Sequence, residues 1–132
     1  MSAEPSGLRF TRDHEWARPE SGGAEVTVGI TDYAQDALGD IVFVELPAVG
    51  RRMGQGESAA EVESTKTVAQ VLAPVAGEVT AVNEALTDHP ETVNTDPYGA
   101  GWFFRLRTDN PAALDGLMDE AAYGAHVAEV SR

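Results

Sequence analysis

A short interval between two alternating runs constrains the fold more than any other feature of this sequence. Residues 57–63 and 68–73 each have a strand-like pattern, and Ser64, Thr65, Lys66 and Thr67 separate them. Two such runs joined by a few small or polar residues predict a β-hairpin, because antiparallel strands need only a short connection. We therefore expect Lys66 to lie at the protruding tip of a hairpin.

Short strand patterns recur along the rest of the chain and are interrupted by turn residues. Residues 24–30 alternate, which is typical of a half-buried strand, and Pro19 to Gly23 form a predicted turn. Residues 102–107 alternate with Trp102, Phe104 and Leu106 on one predicted face. Further strands are predicted over residues 8–12, 15–18, 41–46 and 78–82.

Helices are predicted in a few places only. Thr31 and Asp32 can cap a short helix over residues 33–38, which Gly39 would end. Residues 83–86 suit a single helical turn, residues 87–101 a long polar connection, and residues 111–118 and 119–130 helices at the C-terminus. Many short strands followed by helix favour a mainly β fold, a sandwich or barrel with peripheral helices.

Composition limits the classes of partner. The chain has 132 residues, no cysteine and a formal net charge of −13. This length suits one domain, predicted over residues 8–132 after a loose leader at 1–7. Its charge disfavours nucleic acids and anionic membranes and favours proteins with basic docking faces. Without a signal pattern or a long apolar run, the sequence predicts a soluble cytoplasmic protein.

Lys66 is the only lysine of the chain, whereas eight arginines supply the other positive side chains. A lysine amine can be acylated or can form a Schiff base, which arginine cannot do. Schiff-base catalysis needs a desolvated amine, and a hairpin tip beside Glu63 provides solvent and a carboxylate instead. The position therefore favours an amine that is modified over one that catalyses.

Other motifs are weak. The glycines of the G-x-G-x-x-A pattern at residues 54–59 are expected in a turn, since no strand precedes them and no helix follows. His14, His89 and His126 share no ligand spacing, and no nucleophile elbow is present. The sequence predicts no metal site and no catalytic residue.

Five stretches in order identify the chain as similar to a known family. They are FTRDHEW at 10–16, GITDYAQDALGDIVFVELP at 29–47, EVESTK at 61–66, APVAGEV at 73–79 and VNTDPYGAGW at 93–102. The chain resembles the H-protein of the glycine cleavage system, a lipoyl carrier. That resemblance implies a barrel-sandwich hybrid, as in lipoyl and biotinyl domains, with lipoate amide-linked to Lys66 in the motif of Glu63, Ser64 and Thr65.

The resemblance also implies a role and partners. Such a carrier is not an enzyme: it would accept an aminomethyl group at glycine decarboxylase, pass it to an aminomethyltransferase, and be reoxidised by dihydrolipoamide dehydrogenase, after lipoylating enzymes had modified it. Asp13, Glu15 and Gln70 would border the pocket that shelters the arm. Gln70 departs from the family, which often has an acid four positions after the lysine.

Two alternatives remain open from the sequence. The first keeps the lipoyl group but serves another pathway, as an H-like donor or carrier for other lipoate-dependent enzymes. The second is an unmodified acidic β-domain that acts as a passive interaction module. For Asp13 and Glu15, the alternative to a role in the pocket is that they are ordinary surface carboxylates.

Overall fold

A computed structural model describes residues 8–20 and 24–130, so the leader at 1–7 and part of the turn at 19–23 lie outside the described residues. Nine strands run within them: β1 Arg9–Phe10, β2 Glu15–Pro19, β3 Glu25–Ile30, β4 Ile41–Glu45, β5 Arg52–Met53, β6 Ser58–Ser64, β7 Val68–Leu72, β8 Gly77–Val82 and β9 Phe104–Thr108. The helices are α1 Asp32–Leu38, α2 Ala85–Asp88, α3 Thr92–Thr95, a 3-10 helix Pro111–Gly116 and α4 Glu120–Val130.

The strands form two antiparallel sheets and do not close into a barrel. The larger sheet has the order β1-β2-β3-β9-β8-β5, and the smaller has the order β4-β6-β7. Buried side chains from both sheets belong to one cluster, including Val28 and Leu106 from the larger sheet and Val62 and Val71 from the smaller. The sheets therefore face each other across a shared apolar core, which confirms the mainly β prediction.

A second cluster of buried side chains fixes the first strands against α4. It contains Leu8, Phe10, Trp16, Tyr98 and Tyr123. The Trp16 indole donates a hydrogen bond to the Pro97 carbonyl at 3.0 Å. A Cβ at Gly29, in the neighbouring strand, would lie only 2.7 Å from this ring, so the close fit requires glycine there.

Several local predictions are confirmed and others are wrong. Helix α1 begins after the Thr31 cap and ends at Gly39, which has a φ of 87° that suits glycine. Strand β3 is buried on both faces rather than half-buried. One face packs into the core, and on the other Trp16 covers Gly29 while Glu20 and Arg105 bond to Thr27. The connection at 87–101 contains α3, whose four residues are too few to show a helical period.

The C-terminal third also departs from the prediction in detail. Strand β9 begins at Phe104, so Trp102 and Phe103 precede it. Phe103, predicted on the face opposite Trp102, is fully buried. Trp102 is half-buried beneath Arg105, whose guanidinium lies 4.6 Å from the ring centroid. The predicted helix at 111–118 is a 3-10 helix that ends at Gly116. It ends there because Met118 joins Phe10 in an isolated antiparallel bridge.

Candidate functional site

The predicted hairpin is confirmed. Strands β6 and β7 pair antiparallel, with Glu63 opposite Val68 in the last pair before the tip. Thr65, Lys66 and Thr67 are all exposed. The single lysine of the chain is therefore presented to solvent at the end of a two-stranded arm.

Ser64 organises the tip. Its side chain is buried, and its Oγ accepts hydrogen bonds from the backbone N–H groups of Lys66 at 3.2 Å and Thr67 at 3.1 Å. The Ser64 N–H donates to the Thr67 carbonyl at 2.8 Å, which closes the turn. A serine hydroxyl that bonds to nearby backbone is a common way to stabilise a turn, so this residue fixes the direction in which Lys66 leaves the sheet.

The backbone of residues 39–41, called here the platform, supports the tip and is held by a distant part of the chain. The Thr65 N–H donates to the Asp40 carbonyl at 3.1 Å. Asn94 in α3 donates to the Gly39 carbonyl and accepts from the Ile41 N–H, each at 2.9 Å, so it fixes the residues on both sides of Asp40. A Cβ placed on Gly39 would lie 3.5 Å from Cε of Lys66, so the lysine stem extends over the end of α1.

A groove of about 180 Å³ lies alongside α1 and β7. It begins next to the platform, at Leu38, and its walls are mostly apolar, from Ile30, Tyr33, Ala34, Ala37, Leu38, Val62, Ala69 and Val71. Asp13 and Glu15 supply carboxylates to it. An apolar channel with a few polar groups is the usual form of a small-molecule site.

Glu15 is a buried acid, with 2% of its surface exposed. Thr11 Oγ1 donates to one carboxylate oxygen, and the Leu72 N–H donates to the other at 3.1 Å. Burial raises the pKa of Glu15 to about 7, although these two hydrogen bonds oppose the rise. Near neutral pH this carboxyl can therefore take up or release a proton with little cost.

The loop that carries Asp13 is held in an unusual conformation by α4. His14 has a φ of 72°, in the left-handed region that few non-glycine residues occupy. Its Nδ1 lies 2.8 Å from the Tyr123 hydroxyl, and that hydroxyl lies 2.7 Å from Oγ1 of Thr31. Burial and the nearby His126 lower the pKa of His14, which favours the neutral ring. Helix α4 thus clamps the loop beside the groove.

Gln70 borders the groove, but its amide makes bonds elsewhere. Its Nε2 donates to the Glu61 carboxylate at 2.9 Å, and its Oε1 accepts from the Ser58 hydroxyl. On β7 the side chains of Ala69 and Val71 are less exposed than that of Gln70 and alternate with it. Asp13 and Glu15 are thus brought together at the groove, whereas the Gln70 amide bonds to groups of β6.

Several residues of the site were not identified from the sequence. His14, Asn94 and Tyr123 were missed because their partners lie far away in the chain. Thr11 was missed because its role depends on the burial of Glu15, four residues later, which the local sequence does not indicate. Only their places inside the family stretches could have indicated Thr11, His14 and Asn94. Among residues 8–20 and 24–130, no group of three or more His, Cys, Asp or Glu side chains is placed to hold a metal ion. No helix in the same ranges is long and apolar enough to cross a bilayer.

Comparison with known proteins gives a consistent result. Residues 8–130 match the family described as Glycine cleavage H-protein. The glycine cleavage system H protein 2 of Pseudomonas aeruginosa is 54% identical over 127 residues, covering 96% of this chain and 97% of that protein. The glycine cleavage system H protein of Halorhodospira halophila is 53% identical over 129 residues and is covered to 98%, as is this chain.

Solved structures agree with the sequence comparisons. The crystal structure of a glycine cleavage system H protein from Mycobacterium marinum superposes with a TM-score of 0.83 at 41% identity, covering 98% of this chain and 100% of that one. This likeness confirms the lipoyl-domain-like barrel-sandwich fold, in which two sheets face each other without closing. The chain belongs to the glycine cleavage H-protein family.

Proposed function

We propose that this protein is the lipoyl-carrying shuttle of a glycine cleavage system, with lipoate attached to Lys66. The single observation that carries the proposal is the exposed, braced lysine at the tip of a hairpin, in a chain that contains no other lysine. An enzyme that acylates an amine needs such an accessible and uniquely placed acceptor. The family to which the chain belongs supports the same conclusion.

The lipoyl group, once attached, would supply the disulfide and dithiol chemistry that accepts, holds and releases an aminomethyl group. Attachment consumes an activated lipoate: the neutral Lys66 amine forms an amide bond with its acyl carbon, the activating group leaves, and a proton passes to solvent. The protein itself contributes presentation of the arm and shelter for its load. It acts as a carrier component, and the bond-making steps belong to its partner enzymes.

The groove is suited to shelter such a load. Strand β7 rises about 3.3 Å per residue, so Leu72, which binds Glu15, lies roughly 13 Å along the strand from Val68 beside the tip. The apolar walls would enclose the chain of an arm folded back from Lys66, and exclusion of water would protect a labile aminomethyl group. Leu38 lines the groove and directly precedes Gly39, over which the Lys66 stem extends, so an arm folded back from Lys66 would reach the groove there.

Glu15 and Asp13 would hold the amine at the end of the groove. A carboxylate pairs with a cationic amine, and proximity of that cation favours the ionised form of the acid. Because the pKa of Glu15 is raised to about 7 in the unloaded protein, Glu15 would release a proton as a cationic amine enters. The Gln70 amide bonds to Glu61 and Ser58 and would leave the amine to the two carboxylates.

The expected partners follow from the proposed role. Glycine decarboxylase would load the arm, an aminomethyltransferase would unload it, dihydrolipoamide dehydrogenase would reoxidise it, and a lipoylating enzyme would first install it. The acidic chain, with a net charge of −13, would be attracted to basic docking faces on these enzymes. Reconstitution with glycine decarboxylase tests this assignment against use as a donor for other lipoate-dependent enzymes.

Intact mass spectrometry of protein made in cells supplied with lipoate tests the attachment site. The wild-type mass should increase by one lipoyl group, and Lys66→Arg should abolish the increase while keeping the positive charge. A matched control, Lys66→Arg with Arg107→Lys, moves the only side-chain amine to an exposed position at the far end of β9 and should remain unmodified. A mass shift that survives Lys66→Arg would contradict the proposal.

Thiol titration provides an independent measurement. The chain contains no cysteine, so every thiol that appears after reduction must come from an attached dithiol. We expect two thiols per modified molecule after reduction and none in the Lys66→Arg protein. Reduction should depend on dihydrolipoamide dehydrogenase when NADH is the only electron donor.

A further inference from the structure

The outer face of the smaller sheet carries apolar side chains beside the lysine tip. Phe43 on β4 pairs with Glu63 on β6, and Glu63 pairs with Val68 on β7, so the three residues form one row across the sheet, called here the outer row. Phe43 is 49% exposed and Val68 is 52% exposed. A shift of register between Ile41 and Phe43 marks a bulge in β4, and Val42 is exposed as well.

The surroundings of the outer row are acidic. The next row consists of Glu45, Glu61 and Gln70, and an open groove of about 650 Å³ runs from Phe43 towards α2, with Glu84 and Asp88 among its lining residues. Neither lysine nor arginine occurs in these two rows or among the residues that line that groove. The patch is therefore a small apolar area surrounded by carboxylates.

This combination selects one kind of partner. A second copy of the chain would bring the same carboxylates together, and like charges across an interface oppose association. A protein with an apolar spot inside a basic rim would bury Phe43 and Val68 and pair with the acids. Phe43 and Val68 do not belong to the core, so their exposure lowers solubility and adds no core packing.

The length of the side chain at residue 66 indicates which enzyme contacts the patch. Once lipoate is attached, an enzyme can receive the end of a long arm without contacting the hairpin. Before attachment, only the lysine side chain projects from the tip, so the enzyme that acylates Nζ must bring its body against the surface next to Lys66. Val68 follows the lysine by two residues and Glu63 precedes it by three, so the outer row contains the last strand pair before the tip and lies within reach of an enzyme bound at Lys66.

We propose that the outer row and its acidic surroundings form the docking surface for the basic face of the lipoate-attaching enzyme, with Phe43 and Val68 as its apolar anchors. This inference rests on the proposed function. Loss of the apolar anchors should weaken binding of the carrier to the enzyme and so raise its KM. Loss of the acids should slow the encounter of the two proteins and reduce its dependence on salt concentration. Neither group is needed to organise the tip, which Ser64 and the platform hold.

The test measures lipoylation kinetics with a purified ligase, ATP and lipoate, on full-length chains. Phe43→Thr with Val68→Thr places a β-branched residue, which suits a strand, at both positions and removes the apolar anchors. We expect KM for the carrier to rise about tenfold or more with little change in kcat. Val49→Thr is the matched control, since Val49 is 60% exposed and lies in the loop after β4, and its KM should stay within about twofold of wild type.

Salt dependence tests the electrostatic part. Glu45→Gln with Glu61→Gln should flatten the decrease of kcat/KM between roughly 50 and 200 mM KCl, whereas Glu129→Gln on α4 should not. An unchanged KM for the threonine pair would overturn the proposal, and so would an equal rise in KM at glycine decarboxylase, because the occupant would then be general. Failure of wild-type protein to gain lipoate at all would overturn the proposed function and this inference with it.

Discussion

The buried acid at the end of the groove should make stability fall as pH rises, and Glu15→Gln should remove that fall. Glu15 titrates at its ordinary pKa of 4.5 in the unfolded chain and at about 7 in the folded protein. Between these values the unfolded state loses its proton first, so stability is greatest below pH 4.5 and declines until about pH 7. Each pH unit of displacement is worth about 1.4 kcal/mol, so the loss amounts to about 3 kcal/mol.

Urea unfolding of wild type and Glu15→Gln at a series of pH values from about 4 to 8 measures this loss. The glutamine carbonyl can accept from the Leu72 N–H, so the variant keeps that contact without a charge. Loss of the bond from Thr11 Oγ1 adds an offset that does not change with pH. The free energy of unfolding of the variant minus that of wild type should grow by about 3 kcal/mol across the interval. Glu129→Gln, an exposed substitution in α4, should follow the wild-type profile.

Comparing two proteins at each pH cancels the other titrating groups, including His14. A difference that stays constant from pH 4.5 to 8 would refute the argument that burial controls Glu15, and a difference that shrinks as pH rises would show that the hydrogen bonds from Thr11 and Leu72 outweigh burial. The same experiment on the lipoylated protein should give the same slope, because an unloaded arm brings no charge to the carboxyl.

Three further predictions concern how the site is held. Ser64→Ala removes the side-chain bonds at the tip and should cost about 1–2 kcal/mol in urea unfolding. Asn94→Ala should cost about 2 kcal/mol and should speed amide hydrogen exchange at Thr65 more than at Val71 in the middle of β7, whereas uniform acceleration would contradict the brace. Gly29→Ala should cost about 1–3 kcal/mol, since its Cβ collides with a fully buried indole; an unchanged unfolding midpoint would show that the indole moves freely.

Features with a local cause were predictable from the sequence. The hairpin follows from two alternating runs close together, and α1 follows from its Thr31 cap and the glycine at its end. The proposed attachment motif was recognisable because its residues are consecutive. In each case the interactions that determine the structure join residues close together in the chain, so the local sequence pattern is sufficient to predict them.

Features that depend on distant contacts were not predictable. Nothing around Glu15 indicates that Thr11 and the backbone of Leu72 will enclose it, so from the sequence alone it could equally be a surface carboxylate. The burial of both faces of β3 depends on the core on one side and on Trp16 on the other. The exposed outer row was also hidden, because Phe43 lies in a run of apolar residues that predicts a buried strand.

The Asn94 brace has a consequence for when the protein becomes a substrate. Lys66, the proposed acceptor, precedes Asn94 by 28 residues, so a chain emerging from the ribosome exposes this lysine well before the residue that steadies its platform. A peptide copied from the hairpin would share that deficiency. Modification would then report that the later part of the chain has folded, and an enzyme that reads the braced tip would leave incomplete or misfolded copies unmarked.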